Sequence, residues 1–149
     1  AEGAAARASG GFAAAVPLAD GGTVLAVDRF AQRTLCWRVD GGRLRWSERA
    51  DDLGGTEIDP QALLDYLFSH AIPSPRTVFR GVHRLPAGHV GRWDGRSMSV
   101  RPYGTLKFRP DGSRPFEALK AEFRRLLTEA VRAELDGGIP ACFLSGGTD

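Results

Sequence analysis

The sequence has only two cysteines, Cys36 and Cys142, and their separation fits neither a disulfide framework nor a metal-binding box. An excess of one charge is missing as well. Twenty basic residues stand against 18 acidic ones, a net charge of +2, which argues against nucleic acid or any other strongly anionic partner. No stretch approaches the length needed to cross a bilayer. The Ala-rich start holds Glu2 and Arg7 and no sustained apolar core, so no signal peptide is expected there. These absences leave a soluble protein of a reducing compartment as the simplest expectation, read as cytoplasmic. What is present is enough apolar material for a core: 42% of 149 residues are hydrophobic.

The first half reads as antiparallel β structure. Residues Gly11 to Leu18 and Thr23 to Arg29 are short apolar runs joined by the turn signal Ala19-Asp20-Gly21-Gly22. The pattern repeats in Thr34 to Val39 and Arg43 to Glu48, around Asp40-Gly41-Gly42. There Leu35, Trp37 and Val39 alternate with Thr34, Cys36 and Arg38, which predicts one buried face and one mixed face. On that pattern Cys36 is able to face solvent, with no neighbouring base to make it a nucleophile. A further hairpin is predicted from His89 to Trp93 and Ser97 to Arg101, around Asp94-Gly95-Arg96.

Two helices are predicted. Asp59-Pro60 supplies a cap acceptor followed by a residue that needs no N–H, and Leu63, Leu64, Leu67 and Phe68 then share one helical face up to His70. Pro73 and Pro75 end that helix. The turn-rich stretch from Pro110 to Pro115 is the best domain boundary, dividing the chain into 1–109 and 110–149. Beyond it Phe116, Leu119, Phe123, Leu126, Leu127, Ala130, Val131 and Leu135 form one apolar helical face, closed by Asp136-Gly137-Gly138. Glu122 and Glu129 are available to the arginines of that helix.

The end of the chain carries the sharpest chemical signal. Residues Ile139 to Leu144 read as a buried parallel strand that runs into Ser145-Gly146-Gly147-Thr148-Asp149. Paired glycines let successive backbone N–H groups turn toward one anion, and a carboxylate beside such a nest is suited to a bridging Mg²⁺. The candidate nucleotide-binding residues are therefore Leu144, Ser145, Gly146, Gly147 and Asp149, with Asp149 also the candidate metal ligand. Cys142 reads as a small core residue of the strand, and His83 and His89 as loop or surface histidines.

Several ordered motifs together carry a family resemblance. Ser145-Gly146-Gly147-Thr148-Asp149 resembles the start of the pyrophosphate loop of the glutamine-hydrolysing asparagine synthetase family. The stretch from Ile72 to His89, with Pro73, Pro75, Thr77, Gly81, Leu85, Pro86, Gly88 and His89, is similar to that family's Pro-x-Pro to Pro-Gly-His segment. Gly11-Phe12-Ala13, Val27-Asp28-Arg29-Phe30 and Ser47-Glu48 resemble elements of its amidotransferase domain. The likeness covers nearly the whole chain from about Gly10.

The resemblance implies an α+β and α/β organisation. Residues 1–109 would be the later part of an N-terminal-nucleophile amidotransferase sandwich, and residues 110–149 the first helix and strand of an ATP-pyrophosphatase domain. It implies ATP and Mg²⁺ as cofactors, a small carboxylate as substrate of a longer parent, and amide formation through an acyl-adenylate attacked by ammonia or an amine. Residue 1 is Ala, neither cysteine is at the N terminus, and Ala6-Arg7-Ala8-Ser9-Gly10 stands where the family has an acid for the glutamine amine. An arginine there repels an ammonium group, so glutamine hydrolysis is not expected of this chain. Glutaminase-dead relatives such as β-lactam synthetases and lasso-peptide cyclases, or a non-catalytic scaffold, are the alternative. Alone, the chain is expected to be inactive, and its uncovered strand edges and helix face favour a homo-oligomer or poor solubility.

Overall fold

The structure is a computed structural model that describes residues 2–104, 107–110, 112–135, 137 and 141. The chain divides into two compact units, Ala1–Leu106 and Lys107–Asp149. The first opens with a short helix, α1 (Glu2–Arg7), followed by β1 (Ala13–Pro17), β2 (Thr23–Val27), β3 (Cys36–Asp40) and β4 (Arg43–Ser47). A single 3-10 turn at Asp51–Leu53 leads to α2 (Pro60–Ser69), then β5 (His83–Arg84), β6 (His89–Trp93) and β7 (Met98–Pro102). The second unit contains α3 (Phe116–Ala133).

All the strands pair antiparallel, in a four-stranded sheet of order β1-β2-β6-β7 and a three-stranded sheet of order β4-β3-β5. The hairpin expectations hold. Ala13 faces Val27 across the first hairpin, and Trp93 faces Met98 across the last. In the β3–β4 turn Gly41 and Gly42 both have positive φ, 54° and 74°, the backbone a tight two-residue hairpin requires.

The inner faces of the two sheets make the main core. Leu25 and Val27 of β2 meet Leu35 and Leu85, with Ala13, Ala15, Trp37, Leu44 and Met98 packed around them. The outer face of the four-stranded sheet is covered as well, because Ala5 of α1 joins Ala26 and Val90, beside Phe12 and Tyr103. Strand β2 is therefore buried at all five positions, which explains its unbroken apolar sequence. On the outer face of the smaller sheet, Cys36 packs with Leu53 and Val82, flanked by Ala50 and Phe79.

That last cluster corrects the expected alternation in β3. Cys36 is buried, not solvent-facing, while Val39 is exposed. The cover over Cys36 comes from the turn at Leu53 and the loop at Val82, segments distant in sequence that periodicity within the strand does not register. Close packing here also explains Gly55, where any Cβ would come within 2.4 Å of the Phe79 Cβ.

Helix α2 begins as expected. Asp59 Oδ1 accepts the Gln61 N–H at 3.0 Å, and Pro60 occupies the first turn. It ends on a left-handed His70, whose N–H donates to the Tyr66 carbonyl at 2.8 Å. Its apolar face is not the buried one. Only Ala62 is buried, and Leu63, Leu64, Leu67 and Phe68 are exposed, Phe68 at 91%.

In the second unit α3 matches the predicted span, and Gly137 beyond it is left-handed at φ 83°. Arg125 donates to both Glu129 carboxylate oxygens, at 2.9 and 2.7 Å, and Arg114 pairs with Glu122. None of its residues is buried. Among the described residues no helix is long and apolar enough to cross a membrane.

Candidate functional site

The sequence places its candidate nucleotide site at Leu144, Ser145, Gly146, Gly147 and Asp149, and these lie outside the described residues, as do Cys142 and the expected strand from 139 to 144. The described site is the C-terminal end of β2, where the chain leaves the sandwich at Asp28.

Asp28 is 2% exposed and is the hub of this end. Its Oδ1 accepts the N–H groups of Phe30 and Gln32 at 2.9 and 3.1 Å, and its Oδ2 those of Phe12 and Arg33 at 3.2 and 3.1 Å. Burial pushes its pKa up, but the four backbone donors outweigh that and hold it below the ordinary 3.8. Asp28 is thus an ionised carboxylate whose lone pairs are used to fix the loop from Arg29 to Arg33. Backbone groups tie the same corner to later segments. The Asp28 carbonyl accepts the Gly88 N–H at 2.9 Å, the Gly88 carbonyl accepts the Tyr103 N–H at 3.0 Å, and the Tyr103 hydroxyl donates to the Val27 carbonyl at 2.8 Å.

Beside this hub is a recess of about 170 Å³, bordered by Gly10, Phe12, Asp28, Arg29, Phe30 and Gln32. Arg29 Nη2 donates to the Ala6 carbonyl at 2.6 Å, pinning the end of α1. Among the described residues, the recess offers neither an uncommitted carboxylate nor a thiol. Asp28 is fully engaged, and Arg7 is exposed.

The remaining motif residues are structural. Ser47 Oγ donates to Asp52 at 2.6 Å and accepts the Arg49 N–H at 3.2 Å, while the Glu48 carbonyl accepts the Thr34 hydroxyl at 2.8 Å. Thr77 is buried, and its hydroxyl donates to the Val82 carbonyl at 2.8 Å and accepts the Phe79 N–H at 3.2 Å. Leu85 enters the main core, its N–H donating to the Leu35 carbonyl at 2.8 Å. The stretch from Pro73 to His89 is a core-forming segment. Its two histidines sit in strands, not loops. His83 stacks on Trp37 with ring centroids 4.6 Å apart, and burial lowers its pKa from 6.5. His89 places Nδ1 2.8 Å from the Ala87 carbonyl.

Burial raises the pKa of Cys36, against an opposing pull from Arg84, so the thiol is protonated at neutral pH. Among the described residues no group of three or more His, Cys, Asp or Glu side chains is arranged to hold a metal ion. Sequence reasoning missed Asp28 as the organiser of this corner and Arg84 as the neighbour of Cys36. An acid directly after an unbroken apolar strand was the one available signal for Asp28.

Residues 2–104, which span the sandwich and the Asp28 corner, match the glutamine amidotransferase domain family. The chain belongs to that family. Among curated relatives, a protein named amidase chyE from Penicillium rubens is 31% identical over 135 residues, covering 85% of this chain and 20% of that protein. The chain thus spans about a fifth of the length of the relative it matches. Residues 2–104 do not make up 85% of the chain, so the likeness to chyE continues into residues outside the matched amidotransferase domain.

Proposed function

We propose that this chain is part of an ATP-dependent amide-forming ligase of the asparagine synthetase type. In this reading residues 1–109 are a structural amidotransferase-type domain and residues 110–149 open the nucleotide-binding domain. The observation that carries the reading is the order of the motifs. An amidotransferase domain is followed by an amphipathic helix, an apolar run and Ser145-Gly146-Gly147-Thr148-Asp149, and the likeness to a much longer protein named an amidase extends beyond the amidotransferase domain.

The donor set fits the group it would hold. The backbone amides around Ser145, Gly146 and Gly147, next to Leu144, suit the oxygens of a pyrophosphate, and Asp149 suits a Mg²⁺ that keeps most of its waters. ATP bound there would supply the activating group for a small carboxylate, turning its hydroxyl oxygen into a good leaving group. The chain's own residues orient the polyphosphate and hold the charge that accumulates on it as the bond to the α-phosphorus changes hands. Asparagine formation is one outcome of that chemistry. The amine donor and carboxylate are selected elsewhere in a longer polypeptide.

A second feature supports a first domain without glutaminase activity. Cys36 is buried and protonated, and Asp28, which lines the recess, is committed to four backbone donors. On this reading the amine comes from solution or from the substrate itself, as in glutaminase-dead relatives.

The test is ATP–pyrophosphate exchange by the natural polypeptide that contains residues 1–149. Exchange that requires Mg²⁺ and a carboxylate, and that falls about a hundredfold in Asp149→Ala, is expected. Exchange unchanged by Asp149→Ala, or none with any carboxylate supplied, overturns the ligase reading.

A further inference from the structure

The outer face of the smaller sheet carries a half-buried arginine that, among the described residues, has no anionic partner. Strand β5 sets Arg84 directly across from Cys36 of β3. Both side chains border a pocket of about 260 Å³, together with Glu48, Arg49, Asp51 and Ile72. Arg84 is half-buried, and among the described residues it forms no ion pair. Its Nε is buried with no hydrogen-bond partner, its Nη1 has a long 3.5 Å contact to the Ile72 carbonyl, and its guanidinium pulls on the adjacent Cys36 thiol.

The other charges of the pocket are already balanced. Arg49 pairs with Asp51 at 2.7 Å, and Glu48 lies 4.0 Å from Arg33. What remains is one guanidinium, partly removed from water and without an anion among the described residues, in a cavity large enough for a small solute. A guanidinium in that state favours an oxyanion with planar geometry. A single negative charge is answered by Arg84, whereas the second charge of a dianion finds the pocket's other arginine, Arg49, already paired with Asp51.

We propose that this pocket binds a small monocarboxylate, with its oxygens on the Arg84 guanidinium and its carbon chain against Ile72 and Cys36. The site is separate from the Asp28 corner and from the residues proposed to hold nucleotide, and it does not depend on the ligase reading.

Cys36 gives a direct probe because it shares the pocket wall. The 149-residue chain is treated with iodoacetate or with iodoacetamide, and modification at Cys36 is quantified by peptide mapping. Arg84 draws in the carboxylate reagent, so the iodoacetate-to-iodoacetamide ratio at Cys36 is expected about tenfold above that of free cysteine. Acetate should protect Cys36 from both reagents, and Arg84→Gln should return the ratio to the free-cysteine value. In parallel, acetate at constant ionic strength is expected to raise the thermal midpoint of the wild type and not of Arg84→Gln.

A free-cysteine ratio in the wild type overturns the proposal, as does equal stabilisation of both proteins by acetate. If the protonated Cys36 is labelled by neither reagent, the acetate arm decides, and a wild-type midpoint that acetate leaves unmoved overturns the proposal. Phosphate that stabilises more than acetate overturns the carboxylate assignment.

Discussion

Strand β2 and helix α3 both carry a clear apolar pattern, and they meet opposite fates. In β2 every residue is buried, with Leu25 and Val27 fully covered. In α3 none is, and Phe116 and Phe123 stand 73% and 64% exposed. The difference lies in what each element has within its own unit. The first unit holds two sheets, α1 and a covering loop, enough to close both faces of a strand. The described part of the second unit offers α3 a pattern of residues and no surface to receive it. An amphipathic sequence states that a face is to be buried; it does not supply the partner.

The comparison is tested most strongly by truncating one residue in each region. Leu25→Ala removes a fully buried side chain between two sheets and should cost about 4 kcal/mol, whereas Leu127→Ala should cost less than about 1 kcal/mol in the isolated chain. Urea midpoints of the two variants check this. Equal losses would mean that α3 is covered after all.

The next largest effect is expected at Asp28. Replacing it with Asn removes the charge from four charge-assisted hydrogen bonds and turns part of the acceptor into a donor, at a cost of about 3 kcal/mol. Its folded pKa lies below 3.8, so its contribution is complete above pH 3.8 and is lost as the pH falls through the folded value. Acid denaturation followed by circular dichroism should show a shallower dependence in Asp28→Asn than in the wild type over that window.

A smaller effect is expected at His83. Burial holds its pKa below 6.5, so the unfolded chain takes up the proton first. Stability should decline as the pH falls from 6.5 toward the folded value, and His83→Phe, which keeps an aromatic ring on Trp37, should flatten that decline. Urea unfolding at several pH values between 7.5 and 5 measures it. The smallest effect is expected from Arg125→Gln on α3. It breaks an exposed pair with Glu129 that contributes about 0.4 kcal/mol, and a loss several times larger would point to burial of that helix.

Much of this molecule is legible in its residues because its elements are bounded by local chemistry. Asp59-Pro60 marks the start of α2, glycines mark the β3–β4 turn, and alternation or unbroken apolarity marks the strands. The 3-10 turn, β5 and the burial of Cys36 are not legible, because each depends on segments brought together from far apart. The exposed face of α2 escapes for the same reason. Leu63, Leu64, Leu67 and Phe68 form the expected face, but the contact that covers anything on this helix falls on Ala62. At the Asp28 corner the motif residues were visible in the sequence while their roles were not. An acid in a motif suggests chemistry, whereas here its oxygens are consumed by backbone N–H groups. The nucleotide residues from Leu144 to Asp149 rest on their sequence alone.

The account turns on an amidotransferase-type unit with a buried core of its own and a second unit whose helix needs a covering surface. Amide hydrogen exchange across the 149-residue chain, read by mass spectrometry over a dilution series, tests this most directly. The amides of Thr23 to Val27 should exchange slowly at every concentration, and those of α3 orders of magnitude faster at high dilution. Protection of α3 equal to that of β2 at the lowest concentration would contradict it.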